Sequence, residues 1–214
     1  MEKEYCELDE IAVKAGTDKS SLGHNYMHAY ARCFAPFRKK PIRFLEIGLH
    51  EGNSVQLWEE YFPKAELHFI DIDLSLVKYH SKRAHYHQCD QENPIDLAFF
   101  LQKMPGPFDI IVDDGGHSSQ QQVTSFLTLF RSLKSGGLYV IEDLHGCYKF
   151  AVKGKRTTMD LLKKMIDELN FIGTKTSCGD QDKVPPELLH EMTFFRKEIR
   201  SLSFWSNLVM IERR

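Results

Sequence analysis

Ile42-Arg43-Phe44-Leu45-Glu46-Ile47-Gly48-Leu49-His50-Glu51-Gly52 is the stretch on which the fold turns. Ile42 to Ile47 reads as a strand, rich in β-branched and aromatic side chains. Gly48 and Gly52 then let the backbone bend sharply and come close to a ligand. Ser54 to Phe62 follows with helical spacing, and Ser54 stands where a helix cap is expected. Strand, glycine turn and helix together form the opening unit of a nucleotide-binding α/β sheet.

Outward from that unit the same alternation continues. Leu67 to Ile72 is a second strand, and a charged helix is expected from Leu74 to Arg83. Tyr86 to Cys89 is a short third strand, and Asp96 to Met104 is helical in period. Phe108 to Val112 is a fourth strand, apolar enough to be buried on both faces. Gln120 to Leu133 is helical, with Gly136-Gly137 ending it, and Leu138 to Ile141 is the fifth strand. After a helix over Met159 to Leu169, Ile199 to Phe204 and Leu208 to Glu212 form two closing strands. The pattern predicts an α/β, Rossmann-like, seven-stranded and mostly parallel sheet with helices on both faces. No repeat or linker divides the chain, so residues 1–214 are expected to form a single domain, with 1–40 as an N-terminal helical segment.

Bulk properties narrow the function classes. The 214 residues are 42% hydrophobic and 27% charged, with a formal net charge of -2. That balance provides no field to draw the protein to nucleic acid or to an anionic membrane. Arg38-Lys39-Lys40 and Lys153-Gly154-Lys155-Arg156 read as solvated faces. The first residues carry no apolar signal-peptide core, and no run of 18 apolar residues exists. Five scattered cysteines without a Cys-x-x-Cys pair fit reduced thiols in the cytoplasm.

Ligands of such sheets bind beyond the carboxyl ends of the strands. The residues there are Glu46-Ile47-Gly48, Asp71, Asp90, Asp113-Asp114 and Glu142-Asp143, so nearly every strand ends in a carboxylate. The glycine turn lacks the middle glycine of the dinucleotide fingerprint and carries Glu51. A pyrophosphate would be repelled there, whereas an adenosine joined to a cationic sulfonium would not. Asp71 is placed to accept the ribose hydroxyls, and Asp90 to reach the adenine amino group.

These motifs resemble the class I S-adenosylmethionine-dependent methyltransferases. More narrowly, the chain is similar to the metal-dependent sugar O-methyltransferases that modify macrolide and rhamnosyl groups. The resemblance rests on Gly16-Thr17-Asp18-Lys19 with His24-x-Tyr26, on Leu45-Glu46-Ile47-Gly48 with Gly52-Asn53-Ser54, on Phe108 through Asp113-Asp114-Gly115-Gly116-His117, and on Gly136-Gly137 through Ile141-Glu142-Asp143-Leu144. These segments cover roughly the first 150 residues, and residues 150–197 carry no recognised motif. The resemblance implies that Thr17, Lys19, His24, Tyr26, Glu46, Gly48, Gly52 and Ser54 join Asp71, Asp90 and Asp113 around the cofactor. His24 and Tyr26 are expected to close over it. Asp113 on its own is better read as capping the following helix.

Asp114, Glu142 and Asp143 end neighbouring strands, and three bare carboxylates together repel one another unless a divalent cation sits among them. Oxygen ligands favour Mg²⁺ or Mn²⁺ over zinc, and the resemblance implies the same three positions. A sugar hydroxyl is a poor nucleophile at neutral pH, and a cation that binds it stabilises the alkoxide as it forms. Asp114 therefore counts as catalytic as well as metal-binding. His117, three residues on, is the expected general base, with His145 as its rival. The expected acceptor is a hydroxyl of a sugar or glycan, a deoxyhexose such as rhamnose. No nucleic-acid or membrane partner is expected, and a homo-oligomer is allowed. The alternatives are a catechol-type O-methyltransferase, which typically has an asparagine among its ligands, and a non-catalytic cofactor-binding module.

Overall fold

Parallel pairing of β1 (Arg43–Ile47) with β2 (Glu66–Asp71) on one side and β4 (Phe108–Asp113) on the other sets the centre of the sheet. The computed structural model describes residues 2–177 and 183–214. Within it, α1 (Glu2–Ala15) and α2 (Met27–Phe34) precede β1. Then come α3 (Asn53–Tyr61), β2, β3 (Ala84–Gln88), α4 (Pro94–Gln102), β4, α5 (Ser119–Leu129) and β5 (Leu133–Ile141). The chain ends with α6 (Gly146–Lys149), α7 (Thr158–Leu169), α8 (Phe171–Lys175), α9 (Phe194–Glu198), β6 (Ile199–Trp205) and β7 (Leu208–Arg213). The strand order is β3-β2-β1-β4-β5-β7-β6, parallel through β5, with β7 and β6 antiparallel. This is the predicted seven-stranded α/β sheet. The order reverses between β1 and β4, the switch point at which a crevice opens beyond the strand ends.

Two apolar layers hold the sheet. On one face Trp58 of α3 packs against Phe44 of β1 and Tyr30 of α2, each with ring centroids 5.2 Å apart. On the other, Phe126 of α5 meets Tyr139 of β5 edge-on at 5.1 Å. Burying each such ring contributes about 1.5–3 kcal/mol, and aromatic edge contacts add about 0.5–1.5 kcal/mol. The first layer matters for function because it anchors α2, and with it Tyr30, against the strand ends.

Three local expectations are corrected. The helix expected over Leu74 to Arg83 shrinks to one 3-10 turn, Leu74–Leu76, capped by Asp73. The rest is held extended by α3 and the turn before it: Tyr79 Oη donates to Glu59 at 2.6 Å, Ser81 Oγ to the same carboxylate at 2.6 Å, and Lys78 N to Glu51 O at 2.9 Å. These bonds give the backbone a non-helical alternative. Gly136-Gly137 lies inside β5 rather than after a helix. α5 ends earlier, and the β4–β5 register shifts between Phe108 and Ile110, with Gly136 at φ 75°. Gly52, at φ 87°, occupies the cap position of α3, and Ser54 does not cap it.

Cys6, Cys33, Cys89 and Cys147 are all unpaired, and Cys178 lies outside the described residues. Among the described residues no helix is long and apolar enough to cross a membrane.

Candidate active site

A cleft of about 570 Å³ lies beyond the carboxyl ends of β1, β2 and β4. Its lining contains six carboxylates, on Asp18, Glu51, Asp71, Asp90, Asp114 and Asp143, and no lysine or arginine among the described residues. Of the residues expected around a cofactor, Thr17, Gly48, Ser54, Asp71 and Asp90 line it.

The cofactor end is organised by Asp71. Its Oδ2 accepts the Leu49 N–H at 2.7 Å and the more distant His50 N–H at 3.4 Å, while Oδ1 accepts Asp73 N–H at 2.9 Å. A side chain at the end of β2 thus fixes the turn at the end of β1. Gly48 takes φ 91° and packs so tightly that a Cβ would fall inside the carbonyl group of Asp114. On the next strand Asp90 bonds its own loop at Glu92 N, 2.8 Å.

Asp113 is corrected from a helix cap to a buried anchor. It is 1% exposed and accepts bonds from Gln91, Ser125 and Tyr139, while Ser118 caps α5. Burial pushes its carboxyl up to about 6 despite those donors. Gln91 reaches both sides, donating to Asp113 at 2.5 Å and accepting Gly116 N–H at 3.0 Å. Gln91 therefore ties the loop after β3 to the Asp-Asp-Gly-Gly-His loop. Sequence reasoning missed it, because a glutamine after a strand carries no signal without its partners.

At the chemical end Asp114, His117 and Asp143 each offer a ligand atom, all within 4.8 Å of one another. His117 and Asp143 both have positive φ, 57° and 52°, an uncommon backbone state for these residues that concentrates at functional sites. His117 Nε2 lies 3.5 Å from Asp143 Oδ2, and His117 Nδ1 is buried without a partner. His145 is farther off, its Nδ1 4.0 Å from Asp143 Oδ1, and it does not line the cleft. Glu142, the other expected ligand, is 1% exposed and is not part of this group.

Glu142 meets the N-terminal segment instead. Lys19 Nζ lies 2.9 Å from Glu142 Oε2 and also bonds Asp114, and Tyr30 Oη donates to Glu142 Oε1. Burial drives the Glu142 carboxyl well above its ordinary range, and the nearby Asp114 charge pushes the same way. Tyr26 Oη donates to Asp143 Oδ1 at 2.5 Å, and His24 stacks between Tyr26 and His145. Glu46 is wholly buried, accepts from Ser54 Oγ at 2.7 Å and is pushed up to about 7 by burial. So Lys19, His24, Tyr26, Glu46, Gly52 and Asp113 sit behind or beside the cleft wall rather than on it.

Residues 45–144 match the methyltransferase-domain family. Over 97% of the chain, the sequence is 34% identical to 8-demethyl-8-alpha-L-rhamnosyl tetracenomycin-C 2'-O-methyltransferase of Streptomyces olivaceus, of which it covers 54%. It is 29% identical to mycinamicin VI 2''-O-methyltransferase of Micromonospora griseorubida, again over 97% of the chain and 52% of the relative. Among solved structures, the MycE methyltransferase of mycinamycin biosynthesis, in complex with Mg, SAH and mycinamycin VI, superposes with a TM-score of 0.80 at 29% identity. That match covers 96% of this chain and 53% of MycE. The chain thus spans about half the length of the curated relatives it matches. The matched segment runs from β1 to just past β5, and Gly48, Asp71, Asp90, Asp114 and Asp143 at its strand ends line the cleft.

Proposed function

We propose that this chain transfers the methyl group of S-adenosylmethionine to a sugar hydroxyl, such as that of a deoxyhexose in a glycan or glycoside, with the help of Mg²⁺ or Mn²⁺. The observation that carries the reading is the charge of the cleft: six carboxylates and no lysine or arginine among the lining residues described. Such a lining repels a pyrophosphate and suits a cationic sulfonium and a divalent cation. A relative named for methylating a rhamnosyl tetracenomycin, and a similar structure solved with Mg, SAH and mycinamycin VI, support the same reading.

The residues present fit both groups. Asp71 and Asp90 offer acidic acceptors at the nucleoside end, and Gly48 leaves its backbone bare beside them. Asp114 and Asp143 face the cleft as hard oxygen donors, with the unpartnered His117 imidazole beside them. They would hold the cation, and Glu142, whose oxygens are engaged by Lys19 and Tyr30, would join them only by giving up one of those bonds. A divalent cation there supplies charge stabilisation for the acceptor oxygen, and bound S-adenosylmethionine supplies the methyl group. His117 would take the acceptor proton at Nε2, and Asp143, 3.5 Å from that nitrogen, would pair with the imidazolium so formed. Tyr26 holds Asp143 by its other oxygen. Residues 1–214 work as one unit in this reading, with segment 1–40 closing the site from behind. Four unpaired cysteines support a cytoplasmic setting.

Incubation with labelled S-adenosylmethionine, Mg²⁺ and a panel of methyl glycosides tests the proposal. Label should enter a glycoside with free neighbouring hydroxyls, and EDTA should stop it until Mg²⁺ or Mn²⁺ is restored. Transfer at full rate in metal-free buffer, or a clear preference for catechols, would overturn it.

A further inference from the structure

The N-terminal segment places a cation where the sequence pattern alone leads one to expect only a metal. Lys19 is 1% exposed. Its ammonium bonds Asp114 and Glu142 and lies 3.6 Å from Glu46 Oε1, which has no hydrogen-bond partner of its own. The turn that carries Lys19 is closed on itself: Tyr26 N donates to Lys19 O at 2.9 Å and His24 N to Asp18 O at 2.6 Å. Gly23 packs against the Asp18 carbonyl with no room for a Cβ. Thr17 and Asp18 reach the cleft lining, while Lys19, the next residue, points into the protein behind it.

We infer that Lys19 is a fixed counter-cation of the carboxylate cluster, a positioning residue that keeps the cluster folded without metal and sets how strongly it holds a divalent cation. This rests on the metal reading above. A buried ammonium is tolerated only when its charge is met, and the same holds for each buried carboxylate. Three carboxyl groups around one ammonium satisfy both needs, and Asp114 keeps a side toward the cleft for a cation. Asp114 is the shared member, since it bonds Lys19 and also belongs to the Asp114–His117–Asp143 group. The positive charge of Lys19 therefore opposes a divalent cation at short range, through a partly buried path that salt screens poorly. The consequence is a preformed site with a moderated, exchangeable hold on its metal.

Lys19→Met, Lys19→Arg and Lys19→Met/Glu46→Gln test the inference, with calorimetric titration of Mg²⁺ and of S-adenosylhomocysteine and thermal unfolding in EDTA. Lys19→Met should bind Mg²⁺ at least about tenfold more tightly, and its unfolding temperature in EDTA should fall and be recovered by Mg²⁺. Lys19→Arg, which keeps the charge, should stay close to wild type on both counts. The double variant, which removes one charge of each sign, should regain unfolding temperature in EDTA relative to Lys19→Met. S-adenosylhomocysteine affinity should change little throughout. Unchanged Mg²⁺ affinity in Lys19→Met, with cofactor affinity lost instead, would make Lys19 a cofactor contact and overturn the inference. If Lys19→Met does not fold, a double variant that is no more stable overturns it equally. A wild-type chain that binds no Mg²⁺ overturns the metal reading itself and the tuning with it, and that failure shows on the wild type before any variant is compared.

Discussion

Gly48 and Asp114 touch backbone to backbone, so closely that no side chain fits between the first turn and the carbonyl of Asp114. The turn after β1 and the loop after β4 are thereby packed as one body, and the cofactor end and the chemical end of the cleft are fixed relative to each other.

Gly48→Ala should therefore damage both ends at once. A Cβ at φ 91° is strained on its own by about 1–2 kcal/mol, and the clash with Asp114 adds to it. We expect a lower unfolding temperature together with weakened binding of both S-adenosylhomocysteine and Mg²⁺. A variant that unfolds as wild type does and binds both ligands normally would show that the two loops are not coupled through this contact.

The acceptor role toward the ribose proposed for Asp71 would be shared with the bonds it makes to Leu49 and Asp73. Asp71→Ala should weaken S-adenosylhomocysteine binding by about 1.5–3 kcal/mol, the cost of losing a charged hydrogen-bond partner. Asp71→Asn, which keeps an oxygen for the Leu49 N–H, should lose less. Calorimetry showing full affinity in a folded Asp71→Ala would remove the assignment.

His117→Ala should lower kcat by about 10²–10⁴-fold, the usual contribution of a general base, with cofactor affinity kept. Lost Mg²⁺ binding in the same variant would instead make His117 a metal ligand, as its place beside Asp114 and Asp143 allows. A retained rate would move the role to His145, and His145→Ala would then be the variant to assay.

A pH effect on stability is expected far from the site. His68 of β2 is 3% exposed and stacks with His85 and His87 of β3. Burial pulls it down to about 4 from 6.5, although Glu66 at 2.9 Å works the other way. The unfolded chain then binds this proton more readily, so His68 contributes stability above about pH 6.5 that is lost as pH falls towards 4. The unfolding temperature should fall across that window, and less steeply in His68→Phe. Parallel profiles for the two proteins would dismiss the effect.

Much of this site was legible because strands end in one place. Asp71, Asp90, Asp114 and Asp143 reach the cleft simply by following strands of a parallel sheet, and a period of apolar residues is enough to find those strands. What could not be read is where side chains go once there. Glu142 and Asp143 are adjacent, yet one meets Lys19 and Tyr30 while the other lines the cleft, and Asp143 has a positive φ of 52° that no pattern of residues announces. Tyr30 carried no signal at all, since its hydroxyl finds Glu142 only because α2 packs on Trp58. The helix expected after β2 failed for a similar reason: Glu59, a residue of another element, captured Tyr79 and Ser81.

Three hydrogen-bond donors of the site, on Lys19, Tyr26 and Tyr30, lie upstream of the first strand. A fragment trimmed to begin at β1 would preserve every strand of the sheet and every acidic residue that lines the cleft from Gly48 onward. It would nonetheless be electrically wrong, with Asp114, Glu142 and Asp143 stripped of the partners that let them lie side by side. Expression boundaries, affinity tags and protease sites for this protein should therefore be placed with residues 16–30 treated as part of the active site.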